Sequence, residues 1–397
     1  MATGLMKLPE NRVRRNYTGG AGIDRLHGKA RQEDNNMPEE WVGSMVEASN
    51  PGMEPIAHEG MAVVETEDGP RFLRDIIDDD REFYLGAAGR EGGWRLSFLL
   101  KILDSAMRLH VQAHPSTRFA NEVMGMPYGK LECYYILHVR DGISPYIRLG
   151  FQHTPGRDGW REIVEKQDKA RMDGCFEKIP VQVGEVWYIP GGMPHAIGEG
   201  ITMLEIMEPS DLVVRCEFER EGIVVPEDGR FMGRGLDFCL DIFDYTEYSK
   251  EEIMEKCRIE PRVLEETDAF RRVRLVDGTL TSCFFVEKLE VNGPALVGHN
   301  RKFNLGVVCA GSCTMEESGQ VIRLKAGDSF LIAAGVKAYQ IRPEGRGQLP
   351  DSCRDRGVPN PAKGQCTAGD GVSGKGYGQA LIQIQVAYGI ADNQGGF

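Results

Sequence analysis

The sequence predicts a mainly β protein built of two related β-barrels with a few short helices. Three observations carry this. Many short stretches of β-branched and aromatic residues alternate with glycine turns, the pattern of barrels and sandwiches. A weak internal repeat lays "VQVGEVWYIPGGMPHAI" over "IRLKAGDSFLIAAGVKAYQI", with Gly184 on Gly327, Trp187 on Phe330 and Ile189 on Ile332. At 397 residues the chain is also too long for one ordinary core.

Residues 1–90 read as polar and irregular, except that "MPEEWVGSMVEAS" suits a strand opened by a turn. "RLSFLLKILDSAMRLHVQAHP" is denser and suits a buried element followed by a short strand. "STRFANEVMG" reads as a short helix with Ser116 as N-cap, and "KLECYYILHVRD" as a strand. "DGWREIVEKQDKARMDG" has the spacing of one amphipathic helix ended by Gly174. "VQVGEVWYIP" and "TMLEIMEPSDLVVRCEFE" are strand stretches joined through "GGMPHAIGEGI". "YSKEEIMEKCRI" carries a capping box, Ser249 with Glu252. From Arg272 onward the chain is β-like again, interrupted by a Gly/Pro-rich surface loop over 344–379. The expected domains are 1–260 and 261–397.

Composition narrows the partners. A formal net charge of −13 argues against nucleic acid and anionic membrane surfaces. No apolar run reaches the ~18 residues of a membrane span. The first residues, "MATGLMKLPENRVRRNYTGG", lack the apolar core of a signal peptide. Ten cysteines without a C-x-x-C pair are expected to be reduced thiols of a cytoplasmic protein. Oligomeric state, monomer or homodimer, is left open.

The chemistry concentrates around His195. Gly184, five residues, Pro190, one residue, Gly192, two residues and His195 follow the spacing of the second cupin motif. Glycine permits the turn, proline stiffens the strand end, and the histidine projects into the barrel mouth. A turn histidine bonded to a backbone carbonyl is the alternative. In "HVQAHPS", Gln112 and His114 lie two apart and share a strand face, as Lys130 and Glu132 do in "GKLECYYI". Gln112, His114, Glu132 and His195 would then converge. Two imidazoles, a carboxylate and an amide oxygen suit Zn²⁺, one ion per chain, although iron(II), manganese or cobalt would also fit. The second copy has Ala338 opposite His195, so its barrel should lack the ion.

In order along the chain, "FLLKILDSAMRLHVQAHPS", "GKLECYYIL", "GEVWYIPGGMPHAIGEGITMLEIMEPSD" and "VVRCEF" resemble the blocks of the type I mannose-6-phosphate isomerases. The resemblance covers roughly residues 30–220 well and the second cupin more loosely. It implies a double cupin, two β-barrel or jelly-roll domains, with zinc on Gln112, His114, Glu132 and His195. It also implies proton transfer between C1 and C2 of an open-chain sugar, mannose 6-phosphate against fructose 6-phosphate. The family's rim arginine falls on Arg215 and its acidic neighbour on Asp211. Pocket residues fall on Lys130 and Glu205, and a phosphate-contacting lysine on Lys101. Glu205, Asp211, Lys130 or a water on the metal are the candidate bases. Three departures stand out. "NYTGG" replaces the family's Trp-Gly-Gly, Glu199 replaces an asparagine, and His110 stands where a serine accompanies the phosphate lysine. His110 could donate to an anion or mark a different or unphosphorylated sugar. The alternative functions are a non-catalytic sugar-binding cupin and, more weakly, a cupin dioxygenase. Gln112 in place of a first histidine counts against the latter.

Overall fold

In the computed structural model, residues 3–90, 96–344 and 381–388 are described. Of the Gly/Pro-rich segment 344–379, only Glu344 falls within them. The chain is mainly β, and every named strand pairing is antiparallel.

Strand order makes the internal repeat concrete. In the first half a large sheet runs Val186–Ile189, Glu132–Val139, Ile201–Met207, Leu99–Ser105, Glu39–Val42. In the second half the order is Ser329–Ile332, Asn304–Ala310, Leu381–Tyr388, Phe284–Val291, Phe270–Val276. The chain visits corresponding strands in the same sequence. The smaller sheets correspond too. Ile179–Pro180, Tyr146–Leu149, His195–Ile197 and Gln112–Ala113 match Gln320–Lys325, Ser312–Glu317, Ala338–Pro343 and Ala295–Gly298. The overlay holds at single residues. Gly184 and Gly327 both take left-handed φ values, +90° and +89°, and Trp187 and Phe330 are both fully buried. This is the cupin arrangement, present twice.

Central strands are covered on both faces. All seven residues of Leu99–Ser105 and of Ile201–Met207 are buried, so these strands read as dense runs rather than as alternation. One apolar core joins the halves, running from Leu5, Ile23 and Leu100 through Leu204 to Phe284, Leu305 and Phe330.

Two sequence expectations need correction. The single amphipathic helix is two, Gly156–Lys166 and Lys169–Gly174. Gln167 takes φ 48°, and the Asp168 carboxylate caps the second helix by accepting from Arg171 N–H. Periodicity alone cannot report a local cap inside an apolar stripe. Residues 1–90 are also less irregular than they read. They hold the hairpin Val63–Thr66/Gly69–Phe72 and the helices Ala21–Leu26, Leu73–Asp79 and Arg81–Leu85. Leu5–Leu8 pairs with Ser329–Ile332, so the N-terminal strand joins the second half's sheet. A strand this short gives no period to count. Both expected caps are present: Ser116 accepts from Phe119 N–H, and Ser249 and Glu252 make both capping-box bonds.

Candidate metal centre and active site

His195, Gln112 and Arg215 lie on neighbouring strands of the smaller first-half sheet, in register as His195↔Gln112↔Arg215. Glu132 opens its strand on the large sheet, between Ile189 and Met207. The cluster forms where the two sheets face one another. Glu132 Oε1 lies 3.1 Å from His114 Nε2, and Oε2 lies 3.6 Å from His195 Nε2. All three residues are at most 2% exposed.

The turn carrying His195 is fixed by its glycines. Gly192 takes φ +91°, and a Cβ there would sit 2.9 Å from the Ile242 carbonyl oxygen. Its N–H donates to His114 O at 2.6 Å, tying one histidine's backbone to the other's turn.

Hydrogen bonds orient both imidazoles. His114 Nδ1–H donates to Leu212 O at 2.8 Å, and His195 Nδ1–H to Met193 O at 3.0 Å. A carbonyl only accepts, so both rings carry the proton on Nδ1 and turn the Nε2 lone pair inward. Burial lowers the pKa of both, that of His114 to about 4, with the Lys130 charge adding to the effect. Both are neutral near pH 7, as metal ligation requires. Glu132 is held well below the usual carboxylate range. Burial opposes ionisation, but the Lys130 charge beside it favours the anion.

A divalent ion fits this donor set. His114 Nε2 and Glu132 Oε1 are buried without a hydrogen bond, and the three ligand atoms lie within 4.8 Å of one another. Such orphans in a sealed polar site call for a ligand. The Gln112 amide nitrogen is 3.3 Å from His195 Nε2. Rotating that amide by half a turn puts its oxygen in the same place, where it could serve as fourth donor. Lys130 Nζ stands 3.2 Å from Glu132 Oε1, as the shared strand face predicted.

Glu205 and Lys101 face each other across the next ladder, Nζ to Oε2 3.3 Å, both nearly unexposed. Burial raises the Glu205 pKa to about 7, with Glu132 adding and Lys101 and Lys130 opposing. Lys101 Nζ also lies 3.6 Å from Glu39 and 5.4 Å from the Trp41 ring centre. Two carboxylates thus engage the lysine expected at the phosphate. His110 is buried, and its Nε2 donates to Ile223 O at 3.3 Å. Arg215 donates from Nη1 to Gly229 O at 2.7 Å. Asp211 is exposed and directly precedes Leu212, whose carbonyl orients His114. It makes no ion pair within 4 Å among the described residues.

Sequence reasoning missed a second tier. Tyr134 donates to Glu132 Oε2 at 2.6 Å. Alternation could have found it, because it lies two residues along the same strand face. Glu39 accepts from Tyr17 OH at 2.7 Å, Trp41 Nε1 at 2.7 Å and Arg15 Nε at 3.1 Å. Its signal was a double glutamate inside a strand that is otherwise core.

Comparison with known proteins agrees with the fold. Residues 279–351 match the model of the mannose-6-phosphate isomerase cupin domain. The chain is similar to mannose-6-phosphate isomerase ManA of Bacillus subtilis, 27% identical over 64% of this chain and 74% of that one. It is equally similar to the mannose-6-phosphate isomerase of Streptococcus mutans, 27% over 68% and 77%. Among solved structures, mannose 6-phosphate isomerase from Bacillus subtilis superposes with a TM-score of 0.65 at 19% identity, covering 97% of this chain and all of that one. A variant of phosphomannose isomerase from Salmonella typhimurium gives 0.65 at 15%, over 98% and 100%. At these identities the structures speak for the shared fold.

Proposed function

We propose that this relative of the mannose-6-phosphate isomerases is itself a zinc-dependent aldose–ketose isomerase, acting on mannose 6-phosphate and fructose 6-phosphate. The observation that carries the reading is the buried His114–Glu132–His195 cluster, with its inward Nε2 lone pairs and orphaned carboxylate oxygen. Gln112, His114, Glu132 and His195 would hold one zinc ion. When bound, zinc supplies a Lewis acid beside the sugar's carbonyl and hydroxyl oxygens.

The remaining work falls to the chain's own side chains. Isomerisation takes a proton from C2 of the aldose and returns it to C1 through an enediol. Glu205, with a pKa of about 7, suits taking and returning that proton near neutral pH. Lys130, beside Glu132, supplies positive charge to the enediolate oxygens, and Arg215 stands at the rim of the site. Asp211 is an alternative base. We also propose that residues 1–260 and 261–397 are the two domains, and that the chain works in the cytoplasm. Buried free thiols among the described residues, such as Cys133, Cys175, Cys216, Cys239, Cys257 and Cys283, suit a reducing compartment.

The test is elemental analysis with a coupled isomerase assay on mannose 6-phosphate and mannose. One zinc per chain with turnover of the phosphate ester is the expected result. Preference for free mannose would overturn the phosphosugar assignment and keep the chemistry. Full metal loading with no turnover of either would leave a sugar-binding cupin.

A further inference from the structure

We propose that Arg15, with Arg215 beside it, forms the anion-recognising end of the substrate pocket and receives a phosphate monoester on the sugar. This rests on the isomerase reading above and names a residue that neither the sequence motifs nor the metal site single out.

Arg215 lies two strands from His195 through Gln112, so their backbones are about 10 Å apart across the sheet. Reacting carbons at the metal would leave the far end of the sugar at this rim. Arg15 and Arg215 line one small pocket together with Ser49, Asn50 and Gly229. That pocket shares Arg15, Asn16, Pro51 and Pro226 with an adjoining cleft of about 480 Å³. Arg15 therefore borders a cleft that a ligand can enter, and Arg215 stands beside it in the smaller pocket.

Both forks are held in place with N–H groups to spare. Arg15 donates from Nε to Glu39 and from Nη1 to Ser49 O at 3.2 Å and Asn50 Oδ1 at 3.3 Å. These bonds fix the plane of the fork, and Nη2 donates to no described residue. Arg215 is held by Nη1 alone, leaving Nε and Nη2. None of these leftover groups is among the sealed, unpaired atoms, whereas Arg140 Nε and Arg148 Nε are. The spare N–H groups of Arg15 and Arg215 are thus not sealed off from solvent. Fixed guanidinium forks with spare N–H groups match a phosphate.

Charge points the same way. No carboxylate lies within 4 Å of Arg215 among the described residues. The single charge of Glu39 is shared between Arg15 and Lys101. Glu39 and Asp211 are the acidic groups whose fields reach both arginines. An anion here completes a pairing the protein leaves open. Lys101 would have to abandon both Glu39 and Glu205 to do the same, from a side chain only 3% exposed.

The experiment uses the zinc-loaded protein and its Arg15→Gln, Arg15→Lys and Lys101→Met variants. Calorimetry reads the binding of inorganic phosphate, and kinetics reads mannose 6-phosphate and mannose. Arg15→Gln is expected to weaken phosphate binding and raise KM for the ester by about ten- to a hundredfold, with a smaller fall in kcat. The preference for ester over free sugar should collapse in parallel. Arg15→Lys keeps the charge beside Glu39 but loses the fork, so it should recover only part of the binding, and it serves if the glutamine variant fails to fold. Phosphate binding that survives both Arg15 changes but is lost in Lys101→Met would overturn the proposal. If the parent protein turns over neither sugar yet binds phosphate through Arg15, the isomerase reading fails and the anion site stands. If turnover of the ester is unchanged by both Arg15 substitutions, the anion site falls and the isomerase reading stands.

Discussion

Replacing His195 with alanine removes one imidazole donor from a site that offers two imidazoles, one carboxylate and one amide. The ring is 2% exposed, and its Nε2 is 3.6 Å from Glu132 Oε2. Changes to groups that merely orient a ligand weaken metal binding by about ten- to a hundredfold. Loss of the ligand itself should cost at least the upper figure. A hundredfold weaker Kd at fixed, saturating zinc removes about 2.7 kcal/mol of metal-linked stability. That corresponds to roughly 5–10 °C in the metal-dependent part of the thermal transition. The assay pairs elemental analysis with melting curves in zinc and in chelator. The parent should lose stability on chelation, and His195→Ala should lose less by about that amount. The second half should still fold, because Ala338 already stands at the equivalent place. A His195→Ala protein with a full equivalent of zinc, or a parent holding two tight equivalents, would refute the one-site reasoning.

Gly192→Ala places a Cβ 2.9 Å from Ile242 O at φ +91°; a loss of about 1–3 kcal/mol and of zinc affinity is expected, read by melting and metal titration. Glu205 has a pKa raised from 4.5 to about 7 by burial. Stability from such a group is present below the lower value and fades as pH rises through the higher. Metal-free protein should therefore lose up to about 3 kcal/mol relative to Glu205→Gln between about pH 5 and 8, and a flat difference would count against it. Shortening the Gly/Pro-rich segment 344–379 should leave kcat/KM for the sugar phosphate intact; abolished turnover in a folded chain would bring that segment to the active site.

Much of the fold could be read because its signals are local. Dense apolar strands, the Ser249–Glu252 capping box and the paired glycines at 184 and 327 each announce themselves within a few residues. The two-residue spacings Gln112/His114 and Lys130/Glu132 are local in the same way, and His114, Glu132 and His195 do come together. What escaped was long-range. Nothing near Leu5 says that its partner is Ile332. Glu39, Arg15, Tyr17 and Lys101 meet only after folding, so the commitment of Lys101 to two carboxylates had no signal in its own segment. Residue type identified the cation, whereas its vacancy for a ligand depended on three other stretches of chain.

The second half shows what the repeat lost. By register, Gly298 pairs with Ala338 as Gln112 pairs with His195, and Asn304 pairs with Ile332 as Glu132 pairs with Ile189. Two residues beyond Gly298 stands Asn300, in the place of His114. Gln, His, Glu and His thus become Gly, Asn, Asn and Ala. A histidine persists nearby but comes from a different strand end. His299 Nδ1–H donates to Val336 O at 3.1 Å, and Val336 is the counterpart of Met193. Its Nε2 meets the Asn304 amide at 2.9 Å. Burial holds the His299 pKa near 4, so the ring is neutral at pH 7 and accepts that amide N–H. Asn300 in turn donates to Asn304 Oδ1 at 3.3 Å. Where the first half leaves a carboxylate oxygen and an imidazole nitrogen without a hydrogen bond, the second closes its polar groups on one another. Neutral amides that satisfy their own hydrogen bonds have little to offer a divalent cation. The same fold therefore holds a metal-ready centre in one copy and a self-satisfied polar plug in the other. The change from Glu132 to Asn304 removes the one charge that a cation would need.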